Sequence, residues 1–161
     1  MKVTTFYLEM RARDQLRAKP NHDPRLRVLE ASVKQWEFNR FLYTFVGGPW
    51  QWCDKLYWDD SKWKEYLDSN QIITFVAYYD GAPAGYFELS QCDGEVEIAY
   101  FGLSPYFIGK GLGGSLLSCA IETAWNLNPR RVWVHTCTLD HPAALQNYLA
   151  RGMTIYKTEE K

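Results

Sequence analysis

A chain of 161 residues with 18 Lys+Arg against 19 Asp+Glu, a formal charge of -1, is sized for one domain and presents no global field to DNA, RNA or an anionic membrane. Its 47% hydrophobic and 23% charged residues exclude intrinsic disorder, a fibrous repeat and a coiled coil. No apolar run approaches the about 20 residues that span a bilayer, Met1 to Met10 lacks a signal-peptide pattern, and the 4 Cys are scattered without a C-x-x-C pair. The expectations are therefore reduced thiols, a cytoplasmic location, and neither metal, membrane nor nucleic acid as partner.

Val3 to Met10 reads as a strand, Arg11 to Arg25 as a polar loop and Leu26 to Ala31 as a second short strand. From Val33, the spacing of Trp36, Phe38, Phe41, Leu42 and Phe45 predicts a helix that Gly47-Gly48-Pro49 ends; Ser61 to Leu67, entered through Asp59 and Asp60, predicts another. Ile72 to Tyr79, the Asp80-Gly81 turn, Gly85 to Leu89, the Cys92-Asp93-Gly94 turn and Val96 to Leu103 form an antiparallel meander. A glycine-rich loop then leads into a helix with Leu116, Leu117, Ala120, Ile121 and Ala124 on its apolar face, ended by Asn128-Pro129. Val132 to Thr136 is a strand, Asp140-His141-Pro142 opens a last helix, Gly152 ends it, and Met153 to Tyr156 closes the chain as a strand. The whole, residues 1–161, reads as a single α/β (α+β) domain.

Chemistry concentrates in the strand, glycine loop and helix of residues 96–126. Glycines let backbone N–H groups converge at the positive end of a helix, and the first acid in the helix is Glu122, so an external anion suits its first turn. Gly109-x-Gly111-x-x-Gly114 matches a dinucleotide fingerprint literally, but too little chain follows for a run of βα units and no acid stands where a ribose needs one. A P-loop needs Ser or Thr after Gly-Lys, and Lys110 is followed by Gly111. A merely structural glycine turn is the plain alternative.

Ile108-Gly109-Lys110-Gly111-Leu112-Gly113, after the strand ending Phe101-Gly102-Leu103, resembles the acetyl-CoA signature R/Q-x-x-G-x-G/A of the GNAT superfamily of N-acetyltransferases. His141-Pro142-Ala143-Ala144-Leu145-Gln146-Asn147-Tyr148, closed by Arg151-Gly152, resembles that superfamily's N-x-x-A-x-x-x-Y pattern followed by a glycine. Ile108 departs from Arg or Gln and His141 from Asn. The resemblance runs from about Ile72 to Tyr156. It implies a mixed, twisted sheet of six to seven strands flanked by about four helices, and acetyl-CoA as acyl donor. Phe101, Gly102, Leu103, Ile108, Gly109, Lys110, Gly111, Leu112, Gly113, Gly114, His141 and Ala144 are its implied contacts. Transfer to a small-molecule or peptide primary amine in a ternary complex is the implied activity, and a non-catalytic acyl-CoA-binding domain the alternative. A homodimer is one assembly it implies.

The same resemblance makes Tyr148 the acid that protonates the CoA thiolate and Glu97 the general base; a packing Tyr and an exposed strand Glu are the plain readings. His135 and Cys137 share a strand face, but no third group orients the pair, so a satisfied His and a core thiol are expected there. His141 is expected to shape the CoA channel or cap the last helix. Five of the 7 Trp lie in the helical region of residues 36–68, and because the first two helices and their loop wall the acceptor site in that superfamily, the resemblance implies that Trp50, Trp52 and Trp58 beside Asp54, Asp59 and Asp60 form a pocket for a cationic amine; a core or dimer surface is the plain alternative.

Overall fold

A computed structural model describes residues 1–161. Seven strands, β1 (Thr4–Met10), β2 (Leu26–Glu30), β3 (Ile72–Tyr79), β4 (Ala82–Cys92), β5 (Glu95–Leu103), β6 (Arg131–Cys137) and β7 (Thr154–Glu160), form one sheet in the order β2-β3-β4-β5-β6-β1-β7. All neighbours are antiparallel except β5 and β6. The meander follows from its turns: Asp80 and Gly81 (φ 49° and 88°) and Asp93 and Gly94 (φ 55° and 76°) take the paired positive φ of tight hairpins.

Helices cover both faces. Leu42 and Val46 of α1 (Trp36–Gly47) pack on Val76 and Tyr86, while Trp63 and Leu67 of α2 (Asp60–Asp68) cluster with Tyr43 and Ile72. On the opposite face Leu116, Leu117, Ala120 and Ile121 of α3 (Gly113–Trp125) join Ala77, Phe87, Ile98 and Val134 in the main core, which includes Tyr148 of α4 (Ala144–Ala150). Alternation along β3 and β4 sends Val76 and Tyr86 one way and Ala77 and Phe87 the other, so each helical layer buries its own half of the sheet.

Two features open the sheet. Leu89 pairs with Ile98 but Glu88 with Tyr100, so Ala99 is an extra residue in β5. This bulge keeps Ile98 and Phe101 on the α3 side, and Tyr100 in the clusters of α1 and α2. The parallel ladder between β5 and β6 then pairs only Glu95, Val96 and Glu97 with Arg131, Val132 and Trp133. Beyond Glu97 the β6-facing backbone edge of β5 has no strand partner, and the two strands part.

The observed elements differ from expectation at several ends, α1 among them, which starts at Trp36 and not at Val33. β4 and β7 are longer than predicted because each continues along its neighbour, β7 reaching Thr4↔Glu160 after a bulge at Tyr7/Leu8. The last helix starts at Ala144, not at Asp140-His141-Pro142. Asp140 is engaged elsewhere: its carboxylate accepts from the Thr136 hydroxyl, from the Cys137 N–H at 3.1 Å and from Trp52 Nε1 at 3.2 Å. His141 Nδ1 accepts the Ala143 N–H at 3.0 Å, closing the turn ahead of the helix.

Candidate active site

The gap between β5 and β6 continues into a cleft of about 1140 Å³ that every predicted site residue except Lys110 lines. Lys110 is exposed, its ammonium 4.6 Å from the Tyr106 ring, because the loop carries its side chain outward while its glycines face the cleft. Gly109 and Gly111 both have φ +79°, a backbone only glycine adopts at no cost, with no atoms within 4 Å of a Cβ added there. Leu112, the N-cap of α3, offers no side-chain acceptor, and the first turn has no acid. Backbone N–H groups at the positive helix end are thus left for a ligand, and the site fits the diphosphate of a CoA-type donor.

Above the loop, Tyr148 is 5% exposed, its ring 6.2 Å from that of Phe101. Burial, and then the Asp140 charge, push its phenol above the ordinary range, so the hydroxyl keeps its proton. Asn147, which sequence reasoning passed over, donates Nδ2 to the Gly113 carbonyl at 3.1 Å and ties α4 to the loop. Ala144 and His141 line the wall, the His141 ring 4.9 Å from that of Trp50.

Glu97 stands where the strands part, half-buried and at 3.6 Å (Oε2) from His135 Nε2. Burial pushes its carboxyl above the usual range, helped by Glu88 and opposed by His135 and Lys55. His135, expected from the sequence as a satisfied His, has a side chain that makes no hydrogen bond within the protein beyond this contact. Its side chain is 44% exposed, at the cleft wall, 5.6 Å from the Tyr7 ring, and Tyr7 donates to Glu159 at 3.0 Å. Strand separation is the reason: β6 has no β5 neighbour to cover it there. A half-buried carboxylate in contact with an exposed imidazole can take a proton and hand it to solvent.

Trp52 lines the cleft. It donates to Asp140 and packs on Tyr43, Tyr86 and Tyr100, and the absence of a side chain at Gly47 makes room for its ring. Trp58 lines the cleft and also packs inward. With Tyr43, Trp63, Tyr66 and Tyr100 it surrounds the Lys55 ammonium, at 3.5 Å from the Tyr66 centroid and 4.2 Å from that of Tyr100. Lys55 Nζ also lies 3.3 Å from Glu88 Oε2, and Glu88 accepts from the Tyr66 hydroxyl and from Asn39 at 3.1 Å. The cation these rings hold is therefore the chain's own. Lys55, Trp58 and Tyr66 line the cleft together with Trp50, Trp52, Asp54, Glu97 and Asp140.

The four cysteines are free, no cluster of three or more His, Cys, Asp or Glu could hold a metal, and no helix is long and apolar enough to cross a membrane.

The model of the Acetyltransferase (GNAT) family matches residues 28–153. No curated protein matches the chain. Among solved structures, a GCN5-related N-acetyltransferase from Sphaerobacter thermophilus superposes with a TM-score of 0.70 at 14% identity, over 99% of this chain and 51% of that one. A functionally unknown conserved protein from Staphylococcus epidermidis gives 0.66 at 18% identity, over 99% and 60%. An aminoglycoside acetyltransferase from an uncultured soil metagenomic sample, in complex with trehalose, gives 0.65 at 14% identity, over 81% and 90%. These identities speak for the fold alone, and the chain spans little more than half of the first two proteins.

Proposed function

Since the chain belongs to the GNAT acetyltransferase family, we propose that it transfers an acetyl group from acetyl-CoA to a primary amine by direct attack in a ternary complex. The observation that carries the reading is the parting of β5 from β6 directly above the uncapped start of α3, with Glu97 and Tyr148 both in the resulting cleft.

Gly109, Gly111, Gly113 and Gly114 hold the diphosphate through main-chain N–H groups, and the free edge of β5 around Phe101 to Leu103 receives the acyl arm. When bound, the donor supplies a thioester carbonyl and a thiolate leaving group. The remaining steps belong to the chain. Glu97 takes a proton from the acceptor ammonium, directly or through water, and His135 passes it to solvent. Backbone N–H groups of β5 would polarise the carbonyl as the amine attacks; as the C–S bond breaks, the buried Tyr148 hydroxyl gives its proton to the departing sulfur and regains one from the protonated nitrogen of the adduct.

Asp54, Glu97 and Asp140 beside Trp50 and Trp52 favour a cationic amine at the acceptor end. Four unpaired thiols suit a cytoplasmic setting. The test is calorimetric titration with CoA, acetyl-CoA and NAD, followed by thiol release across a panel of amines. CoA binding without NAD binding, and thiol release with at least one amine, is the expected result. CoA binding with no amine turned over would leave a CoA-binding domain, and no CoA binding would reduce the glycine loop to a structural turn.

A further inference from the structure

The Lys55 ammonium sits over the same face of the sheet as Glu97. Leu89 and Ile98 pair across β4 and β5 and point into the α3 core, so Glu88, Ser90, Glu97 and, past the bulge, Tyr100 point the other way. Ser90 pairs with Glu97 and Glu88 with Tyr100. Glu88 and Glu97 are therefore diagonal neighbours on that face, their backbones about 7–8 Å apart. Lys55, from the segment between α1 and α2, closes over them: its Nζ lies 3.3 Å from Glu88 Oε2 and 4.2 Å from the Tyr100 centroid. Lys55, Ser90, Tyr100 and Glu97 all line the cleft.

A buried ion pair adds little to stability over apolar residues of similar volume. Its charges do act on a third group in the same dry site, with little screening. Glu88, a like charge, opposes ionisation of Glu97, and Lys55 offsets it. Burial pulls the Lys55 pKa down, while Glu88 draws it back and five rings hold the ammonium in place. The other titratable groups around Glu97 are His135 on β6, with Tyr7 beside it on β1, Tyr100 on β5 itself, Tyr66 on α2 and Asp54 next to Lys55. Burial raises the Tyr66 and Tyr100 phenols, which stay neutral. The charges that bear on Glu97 are thus His135 and Lys55 in favour of the carboxylate and Glu88 against it.

We propose that Lys55 is a positioning residue for proton transfer: its ammonium, clamped by Glu88 and the aromatic rings, holds Glu97 as a carboxylate ready to take the proton of the acceptor ammonium. The proposal rests on the reading of Glu97 as the general base.

The test reads Glu97 directly, by NMR titration of the carboxyl carbons in the unliganded protein, its signal identified by loss in Glu97→Gln. Profiles of kcat/KM against pH run alongside. The proteins are wild type, Lys55→Met, Lys55→Arg, Glu88→Gln and Lys55→Met/Glu88→Gln, with melting curves to establish folding. In Lys55→Met the Glu97 titration and the acid limb should both move up by about one pH unit, because losing the cation and unmasking Glu88 act in the same direction. Lys55→Arg, which keeps the charge, should stay nearer wild type, and the double variant should return most of the way. Where Lys55→Met does not fold, Glu88→Gln against the double variant carries the same test, since both lack the Glu88 charge, and Glu97 should titrate higher in the double. An unmoved Glu97 titration in the folded variants overturns the proposal, as does a double variant displaced as far as Lys55→Met. A shifted Glu97 titration beside a rate profile that does not follow it keeps the charge coupling and removes Glu97 as the base, so the two failures are read apart.

Discussion

Glu97 Oε2 lies 3.6 Å from His135 Nε2, across the point where β5 and β6 stop pairing. The base of the proposed reaction thus has a partner that reaches solvent. Activity requires the carboxylate, whose pKa burial raises and His135 lowers, so rate should climb as pH rises through that pKa. Removing His135 removes a lowering influence, and the acid limb of kcat/KM in His135→Gln should move to higher pH. Glu97→Gln should lower kcat by about 10²-fold or more without changing CoA affinity. A pH–rate series on the three proteins checks both, and an acid limb unmoved by His135→Gln would deny the coupling.

Tyr148→Phe removes one oxygen from a buried ring that stays packed against Phe101. CoA affinity and melting temperature should hold, while kcat falls by about 10². Because burial keeps the phenol protonated well above neutral pH, the loss should be uniform between about pH 6 and 9. Pre-steady-state thiol release measures it; wild-type rates would make Tyr148 a packing residue.

Lys55 and Glu88 are a buried ion pair, with side chains 4% and 2% exposed. Lys55→Met leaves the Glu88 carboxylate without its cation and should cost about 3–5 kcal/mol in denaturant unfolding. Adding Glu88→Gln, which retains acceptors and a donor for Tyr66 and Asn39, should recover part of that loss. A double variant no better than the single would mean that the aromatic packing, not the charge, sets the cost.

Gly111→Ala places a Cβ on a backbone at φ +79° and should cost about 1–2 kcal/mol. The added methyl meets no protein atom, so its effect on CoA binding isolates the space reserved for the donor. A fall in affinity larger than the fall in stability is expected by calorimetry and thermal melts.

The elements, the hairpin turns and the glycine cradle were legible in the chain because their determinants are local: paired positive φ at Asp80-Gly81 and Asp93-Gly94, apolar spacing along α3, and an acid-free first turn after Gly109 and Gly111. Tertiary structure decided the rest. His135 became a cleft residue only because the bulge at Ala99 and a three-residue parallel ladder leave β6 uncovered. The Trp-rich region encloses Lys55 because Glu88, on a different element, places a carboxylate beneath the rings. Lys19 and Arg151 meet at Gly114 from opposite ends of the chain, and nothing in the segment Arg11 to Arg25, five cations and two acids read as polar loop, signals that contact. A pattern of residues specifies backbone conformation over a few positions, whereas charge pairing and proton transfer depend on distances between strands that only the folded sheet sets.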